Sequence, residues 1–584
     1  MSEQSSKLIN DPDRLIDDLI EGMISAHPNH LALEGDTGRA IVAIDGPRDG
    51  KVGIVVGGGS GHEPAFAGYV GRGLADAAPL GNIFASPSPS QIMDAGFAAD
   101  GGAGVLFLYG NYTGDVMNFG MAEEGLAEHD ITARSFVVTD DIASAPSDRA
   151  HERRGIAGDF FVFKIAGAAA DLGLSLDAVE LAAQRANDAT RTMGLALSAC
   201  TLPHTGKANF QIPAGQMEIG MGIHGEPGIE RISAESADSV ADRLLSPIIT
   251  ELALSRGDSV AVLVNGLGST TLLELYLLHR RTAAVLQDMG VAIHQSWVGE
   301  YCTSLDMGGA SITIMKLNND LTRWLEHPCD TPALRVGVSQ HRPPTGSRKR
   351  RARPAAQRKE TVARADLKTD GAITPELFRQ MMRAGAEAIF SERDRLCALD
   401  GEIGDGDHGI TMEIGWKAVL RALEAREATA SIAELCEDTA SAFLEAVGAS
   451  AGPLYAAAFQ TAGRAVADRQ NLDGPALVAW LHGMAEGIAA RGGAAPGDKT
   501  MLDAWDPALC AAQAALAQGR AEADCLTAAA EGAATGSAAT RAMKSMRGRS
   551  SKLGDRSIGH IDPGAESTAI LIRAWAGTAR STLV

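Results

Sequence analysis

His341-Arg-Pro-Pro-Thr-Gly-Ser-Arg-Lys-Arg-Arg-Ala-Arg-Pro-Ala-Ala-Gln-Arg-Lys359 divides the chain into two halves of different character. It has prolines, almost no large apolar residue and a run of positive charge, the composition of a solvated linker rather than of a packed element. From Arg342 to Lys368 ten residues are basic and two acidic, which leaves the remainder of the chain at −29 against −21 for the whole. A basic run can bind nucleic acid, but between two acidic domains a solvated connection is the expected reading. Residues 340–369 are therefore expected to link a domain of residues 1–339 to one of residues 370–584.

Short β-branched runs lie on the N-terminal side, among them Val52-Gly-Ile-Val-Val56, Gly104-Val-Leu-Phe-Leu108, Phe136-Val-Val138 and Val260-Ala-Val-Leu-Val264. They alternate with segments of helical spacing, which predicts an α/β domain, here with two α/β subdomains. On the C-terminal side the chain is rich in alanine, leucine and glycine at helical spacing. An all-α helical bundle or barrel is expected there. The net charge of −21 sets the body of the protein against nucleic acid or anionic membrane as its main partner, and leaves small molecules. Seven cysteines, an odd number without a Cys-x-x-Cys pair, suit a reducing compartment and suggest no zinc site. Met1-Ser-Glu-Gln-Ser-Ser-Lys-Leu-Ile9 is not built like a signal peptide. No later stretch approaches the ~18 apolar residues of a spanning helix, so a cytoplasmic protein is expected.

In the second half, Asp400-Gly-Glu-Ile-Gly-Asp405-Gly-Asp407-His408-Gly409 packs three aspartates into a glycine-rich turn between two helical patterns. Carboxylates held that close repel unless a cation compensates them, so Asp400, Asp405 and Asp407 are candidate metal ligands. A plain surface turn and a calcium loop compete with that reading. The EF-hand pattern fails, because no oxygen ligand stands two residues past Asp407 and no glutamate closes the loop. The glycines leave room for a bulky anion on the metal, which points to phosphate.

Three motifs stand out in the first half. Val55-Val-Gly-Gly-Gly-Ser-Gly-His62-Glu-Pro64 follows a strand, but His62 occupies the place of the last glycine in a dinucleotide fingerprint and also breaks the P-loop pattern. It reads equally as a tight turn with a structural histidine and as a ligand loop. Asn111-Tyr-Thr-Gly-Asp115-Val-Met-Asn-Phe119 also follows a strand. Asp115 there is either a helix N-cap or a general base. In Met217-Glu-Ile-Gly-Met-Gly-Ile-His224-Gly-Glu-Pro-Gly228 an imidazole stands among glycines that would let a ligand approach. His224 is a nucleophile or a structural histidine, and the residues alone leave this open.

Taken together, and with Val264-Asn-Gly-Leu-Gly268, Thr303-Ser-Leu-Asp-Met307, Gly448-Ala-Ser-Ala-Gly-Pro-Leu-Tyr455, Gly497-Asp-Lys-Thr-Met-Leu-Asp503 and Leu553-Gly-Asp-Arg-Ser-Ile-Gly-His-Ile-Asp-Pro-Gly-Ala565, these motifs resemble the dihydroxyacetone kinase family in its fused, single-chain form. The resemblance covers nearly the whole chain. It implies a ketose domain followed by an ATP domain, and a substrate carbonyl bound covalently by His224 as a hemiaminal. It further implies that Asp115 takes the proton of the attacking hydroxyl, that His62 joins it and His224 in catalysis by hydrogen-bonding the substrate, and that Gly58, Gly59, Ser60, Gly61 and Ser86 frame the ketose. Asp400, Asp405 and Asp407 would hold two Mg²⁺ ions on ATP. His408, Thr411, Gly448, Ala449, Ser450, Leu454, Thr500, Met501, Arg549, Asp562 and Gly564 would surround the nucleotide.

One position departs from the family pattern. A lysine is expected just before the Asn-Tyr-Thr-Gly-Asp run, where Tyr109-Gly110 stands. Its loss would change the charge and enlarge the pocket, so the four-carbon ketose erythrulose joins dihydroxyacetone as a candidate substrate. Two other functions compete: a phosphotransferase-system type using a protein phosphoryl donor, and a non-enzymatic ketose sensor. The fused ATP motifs and the aspartate set count against both. A homodimer is the expected assembly, and a linker of this length lets the active site form either within one chain or with domains crossed between chains.

Overall fold

The computed structural model describes residues 7–337, 367–404 and 406–583. Residues 340–366 of the expected linker and Asp405 lie outside the described residues. The chain divides into two compact units between Pro354 and Ala355, and each is described by itself.

Among the described residues the first unit contains two large sheets and a two-stranded one formed by Cys329–Asp330 and Arg335–Val336. One large sheet holds β1 (Leu31–Glu34), β2 (Ala40–Ala43), β3 (Gly53–Val56), β4 (Gly58–Ser60), β5 (Ala77–Ile83), β6 (Val105–Gly110) and β7 (Ala133–Val138). Their order is β1-β2-β5-β3-β6-β7, with β4 beside β5, and β5, β3, β6 and β7 run parallel. The other holds β8 (Thr190–Ser198), β9 (Gln216–Ile219), β10 (Glu230–Ser233), β11 (Ser259–Gly266), β12 (Ala292–Gly299) and β13 (Gly308–Leu317) in the order β10-β9-β8-β13-β11-β12.

Eight helices accompany these strands: α1 (Leu15–Ala26), α2 (Pro89–Ala99), α3 (Thr113–Ala127), α4 (Asp159–Asp171), α5 (Leu176–Asp188), α6 (Ala237–Glu251), α7 (Leu272–Met289) and α8 (Asn319–Leu325). Strands buried on both faces read as continuous apolar runs, and β3 shows why. Val55 faces a core with Ile92 of α2 and Phe119 of α3. Ile54 and Val56 face the opposite core, with α4 and α5. That core also takes in Ala261 and Leu263 of β11 and Trp297 of β12, so α4 lies between the two sheets. Its sequence, Asp-Phe-Phe-Val-Phe-Lys-Ile-Ala-Gly-Ala-Ala-Ala-Asp, is apolar all round, as a helix without a solvent face must be. Lys164, its interior cation, donates to the carbonyls of Trp324 (3.0 Å) and His327 (2.8 Å).

The second unit is helical: α9 (Pro375–Ile403), α10 (His408–Ala425), α11 (Ile432–Ala446), α12 (Ala451–Ala465), α13 (Gly474–Gly492), α14 (Leu502–Ala517), α15 (Glu522–Ala539) and α16 (Pro563–Leu583). Each packs on its neighbour in sequence, and α16 closes the ring on α9. Trp416, Trp480, Trp505 and Trp575 are fully buried, and the Trp480 and Trp575 rings stand 5.5 Å apart. Among the described residues no helix is long and apolar enough to cross a membrane. All seven cysteines are free thiols.

Candidate active site

In the first unit the motif residues gather where β3, β4 and β6 end. Gly59 is forced by contact: a β-carbon there would lie 2.6 Å from the Ala85 nitrogen and 2.9 Å from the Phe84 α-carbon. The glycine run thus lets the Phe84–Ser86 segment lie against β4. Ser60 is already committed, its hydroxyl donating to the Gly81 carbonyl at 2.8 Å. The Gly61 N–H is held by the Glu63 carboxylate at 3.0 Å. Phe84 stacks on the His62 ring with centroids 5.0 Å apart.

The structure brings His62 and His224 together, with 3.1 Å between their Nε2 atoms. On its far side His62 Nδ1 stands 2.8 Å from the Thr303 carbonyl, an acceptor only, so Nδ1 carries the proton. Burial, followed by the His224 charge, pushes His62 down to about 3, so it is neutral and its Nε2 is a bare lone pair. The proton between the two rings therefore belongs to His224. His224 Nδ1 in turn faces Glu226 Oε1 at 3.1 Å, while Glu226 Oε2 accepts the His224 backbone N–H at 3.0 Å. A carboxylate there requires a proton on Nδ1 as well, and the network assigns His224 as an imidazolium paired with Glu226. The Tyr112 ring lies edge-on to His224 at 4.6 Å.

Glu226 was within the quoted motif, yet sequence reasoning gave it no role. The glutamate two residues past His224 was the available signal. Asp115 is buried in the first turn of α3, but it does not cap the helix. The chain is extended at Tyr112 and helical from Thr113, which makes Tyr112 the cap residue. The enlarged pocket expected at Gly110 also needs revision. A β-carbon there would meet the Gly155 carbonyl and the Tyr112 ring, both at 3.1 Å. The space beside that backbone is already filled.

In the second unit the ring topology collects the nucleotide candidates. Because successive helices pack side by side around a closed ring, the four turns that open α10, α12, α14 and α16 share one end. His408 and Thr411 lie in the first turn of α10; Gly448, Ala449 and Ser450 lead into α12, with Leu454 just inside. Thr500 and Met501 lead into α14, and Asp562 and Gly564 frame the start of α16. Four helix N-termini at one mouth bring their positive dipole ends together, the setting for a polyphosphate. His408 Nε2 and Ser567 Oγ are 2.9 Å apart, tying α10 to α16. Arg549 opens the short helical segment Arg549–Ser557, and its side chain lies outside the described residues.

Asp400 belongs to the last turn of α9, and its Oδ2 accepts the N–H groups of Asp407 (3.0 Å) and His408 (3.3 Å) at the start of α10. Burial and then the Asp400 charge push the Asp407 carboxyl up to about 7. Burial is also the main cause that raises Asp562 to about 7, Asp400 adding to it. Among the described residues no three ligand side chains already form a metal cage. Buried acidic groups whose carboxyls are pushed up beside another carboxylate are nonetheless a donor set that a divalent cation would relieve, so the residues fit Mg²⁺.

Residues 21–333 match the Dak1 domain and residues 402–577 the DAK2 domain. The chain is 38% identical over 580 residues to the D-erythrulose kinase of Mycolicibacterium smegmatis, covering 98% of each protein. It is 36% identical over 572 residues to the L-erythrulose kinase of Pectobacterium atrosepticum, covering 97% of this chain and 95% of the relative. The crystal structure of the dihydroxyacetone kinase from C. freundii in complex with AMP-PNP and Mg²⁺ superposes with a TM-score of 0.53 at 30% identity, covering 98% of this chain and 99% of that one. With both domains in one polypeptide and full-length similarity to these kinases, the chain belongs to the dihydroxyacetone kinase family in its fused form.

Proposed function

We propose that this protein is an ATP-dependent kinase that phosphorylates a terminal hydroxyl of a short-chain ketose held on His224. The observation that carries this reading is the His224 imidazole, anchored through Nδ1 by Glu226 and facing the His62 lone pair through Nε2. As a ketose enters, the Nε2 proton passes to His62 and the freed lone pair bonds to the carbonyl carbon. The carbonyl π pair moves to oxygen, which takes the proton from His62. His224 remains cationic and Glu226 remains its counter-ion, so charge and protons balance. A polyol offers no electrophilic carbon and is passed over. Asp115 would accept the proton of the terminal hydroxyl as it attacks.

The domains are taken as residues 1–339 for the ketose and 370–584 for the nucleotide, joined by residues 340–369. Asp400, Asp405 and Asp407 would hold two Mg²⁺ ions, which supply neutralisation of charge on the transferred phosphoryl group. His408, Ser450 and the neighbouring N–H groups would grip the phosphates, with Leu454, Thr500 and Met501 around the base. We take the protein to be cytoplasmic and homodimeric, with domains crossed between chains.

Erythrulose is the favoured ketose, supported by the full-length relatives named as erythrulose kinases. Gly110 contributes through lost charge near Asp115 rather than through added volume, since Gly155 and Tyr112 occupy the adjoining space. The test compares kcat/KM for dihydroxyacetone, D-erythrulose and L-erythrulose with ATP and Mg²⁺ and no protein donor. We expect turnover with ATP alone and the highest value for an erythrulose. Preference for the three-carbon ketose overturns the substrate assignment, and no turnover without a protein donor overturns the ATP assignment.

A further inference from the structure

We infer that Arg154, braced by Asp141, is a positioning residue for ketose capture: it fixes the Glu226 carboxylate that holds the His224 ring. This rests on the capture role of His224 proposed above. Arg154 is buried, in the segment that precedes α4. Its guanidinium donates through Nε to Asp141 Oδ2 at 2.8 Å, and Nη2 also stands 2.7 Å from that oxygen. Nη2 further donates to the Gly220 carbonyl at 3.0 Å, and Nη1 stands 3.8 Å from Glu226 Oε2. The carboxylate is thereby divided. Oε2 faces Arg154 and the His224 backbone N–H, leaving Oε1 for His224 Nδ1.

Gly222 marks the same contact from the other side. A β-carbon there would lie 2.1 Å from Glu226 Oε2 and 2.4 Å from Arg154 Nη1. Any side chain at 222 would stand between the two charges. The cluster draws on three separated segments: Asp141 follows β7, Arg154 precedes α4, and Glu226 and Gly222 follow β9. A buried guanidinium with a carboxylate on each side keeps its charge, and its contacts with Asp141 and the Gly220 carbonyl hold it where it can orient the Glu226 carboxylate. The ionisable groups facing His224 include His62, Tyr112, Glu226 and, behind Glu226, Arg154 with Asp141.

The experiment measures capture alone, in the full-length protein without ATP, by ¹³C NMR of a C2-labelled ketose whose carbonyl resonance disappears on forming the adduct. We expect Arg154→Met to weaken capture about tenfold, Arg154→Lys to restore most of it, and Gly222→Ala to weaken it as Arg154→Met does. In [¹³Cε1]histidine-labelled protein the His224 midpoint should rise by about one pH unit in Arg154→Met, since a nearby positive charge is gone, and stay near its wild-type value in Arg154→Lys. Should Asp141, left unpaired, unfold the single variant, Arg154→Met/Asp141→Asn removes both charges and is expected to show the same loss of capture. A folded Arg154→Met or double variant that captures ketose like wild type overturns the inference, as does a fully capturing Gly222→Ala. Wild-type protein that forms no adduct overturns the capture reading itself and is thereby told apart.

Discussion

Asp407 shows how one residue's surroundings separate stability from activity. Its carboxyl is pushed up by burial and by Asp400, so without a cation the pair is a source of strain. Asp407→Asn removes one charge and keeps the shape. We expect it to melt at a higher temperature than wild type in EDTA, to lose ATP turnover by at least ~100-fold, and to capture ketose normally by ¹³C NMR. Retained turnover would reject the metal role. At this scale the sequence was informative where a motif packs its chemistry locally, as in Asp400–His408. It was silent on Arg154, because only the tertiary fold buries it against Asp141 and Glu226.

Among the elements, the turn that opens α14 illustrates a link invisible in the chain. Lys499 is buried in the left-handed backbone region, with φ of 59°, which costs a non-glycine residue roughly 1 kcal/mol or more. In return its ammonium donates to the carbonyls of Met543 (3.3 Å), Ser557 (2.6 Å) and His560 (2.6 Å). One side chain thus fastens the segment between α15 and α16 to the mouth of the ring. Lys499→Met should raise the KM for ATP about tenfold, with three acceptors left unpaired, while the KM for ketose changes little. Equal changes in both constants would show that the staple serves the whole fold rather than the nucleotide. The helical period announced α9 and α10, and the β-branched runs announced β3, β6, β7 and β11. Two features were out of reach: the closing of α16 on α9, and the Gly155 backbone that fills the space beside Gly110. Both join residues far apart in sequence.

For the whole molecule, the ketose and nucleotide sites proposed above lie in separate compact units, so the proposed transfer would require them to meet. Crossed domains make a specific forecast. Chains bearing His224→Ala and chains bearing Asp407→Asn, each inactive, should regain turnover when co-expressed, because a mixed dimer then has one site with both halves intact. Mixed dimers that stay inactive would place each site within a single chain. The division itself was legible from composition, since a basic proline-bearing run between acidic halves is hard to bury in either.

The proposed capture would make the paired histidines their own buffer. In the capture proposed for His224, the proton needed by the new carbinol would come from between His62 and His224, so binding would neither draw a hydrogen ion from water nor release one. Titration calorimetry of ketose binding without ATP at neutral pH should therefore give the same heat in phosphate as in Tris. A difference proportional to the buffers' ionisation enthalpies would mean that the proton comes from outside.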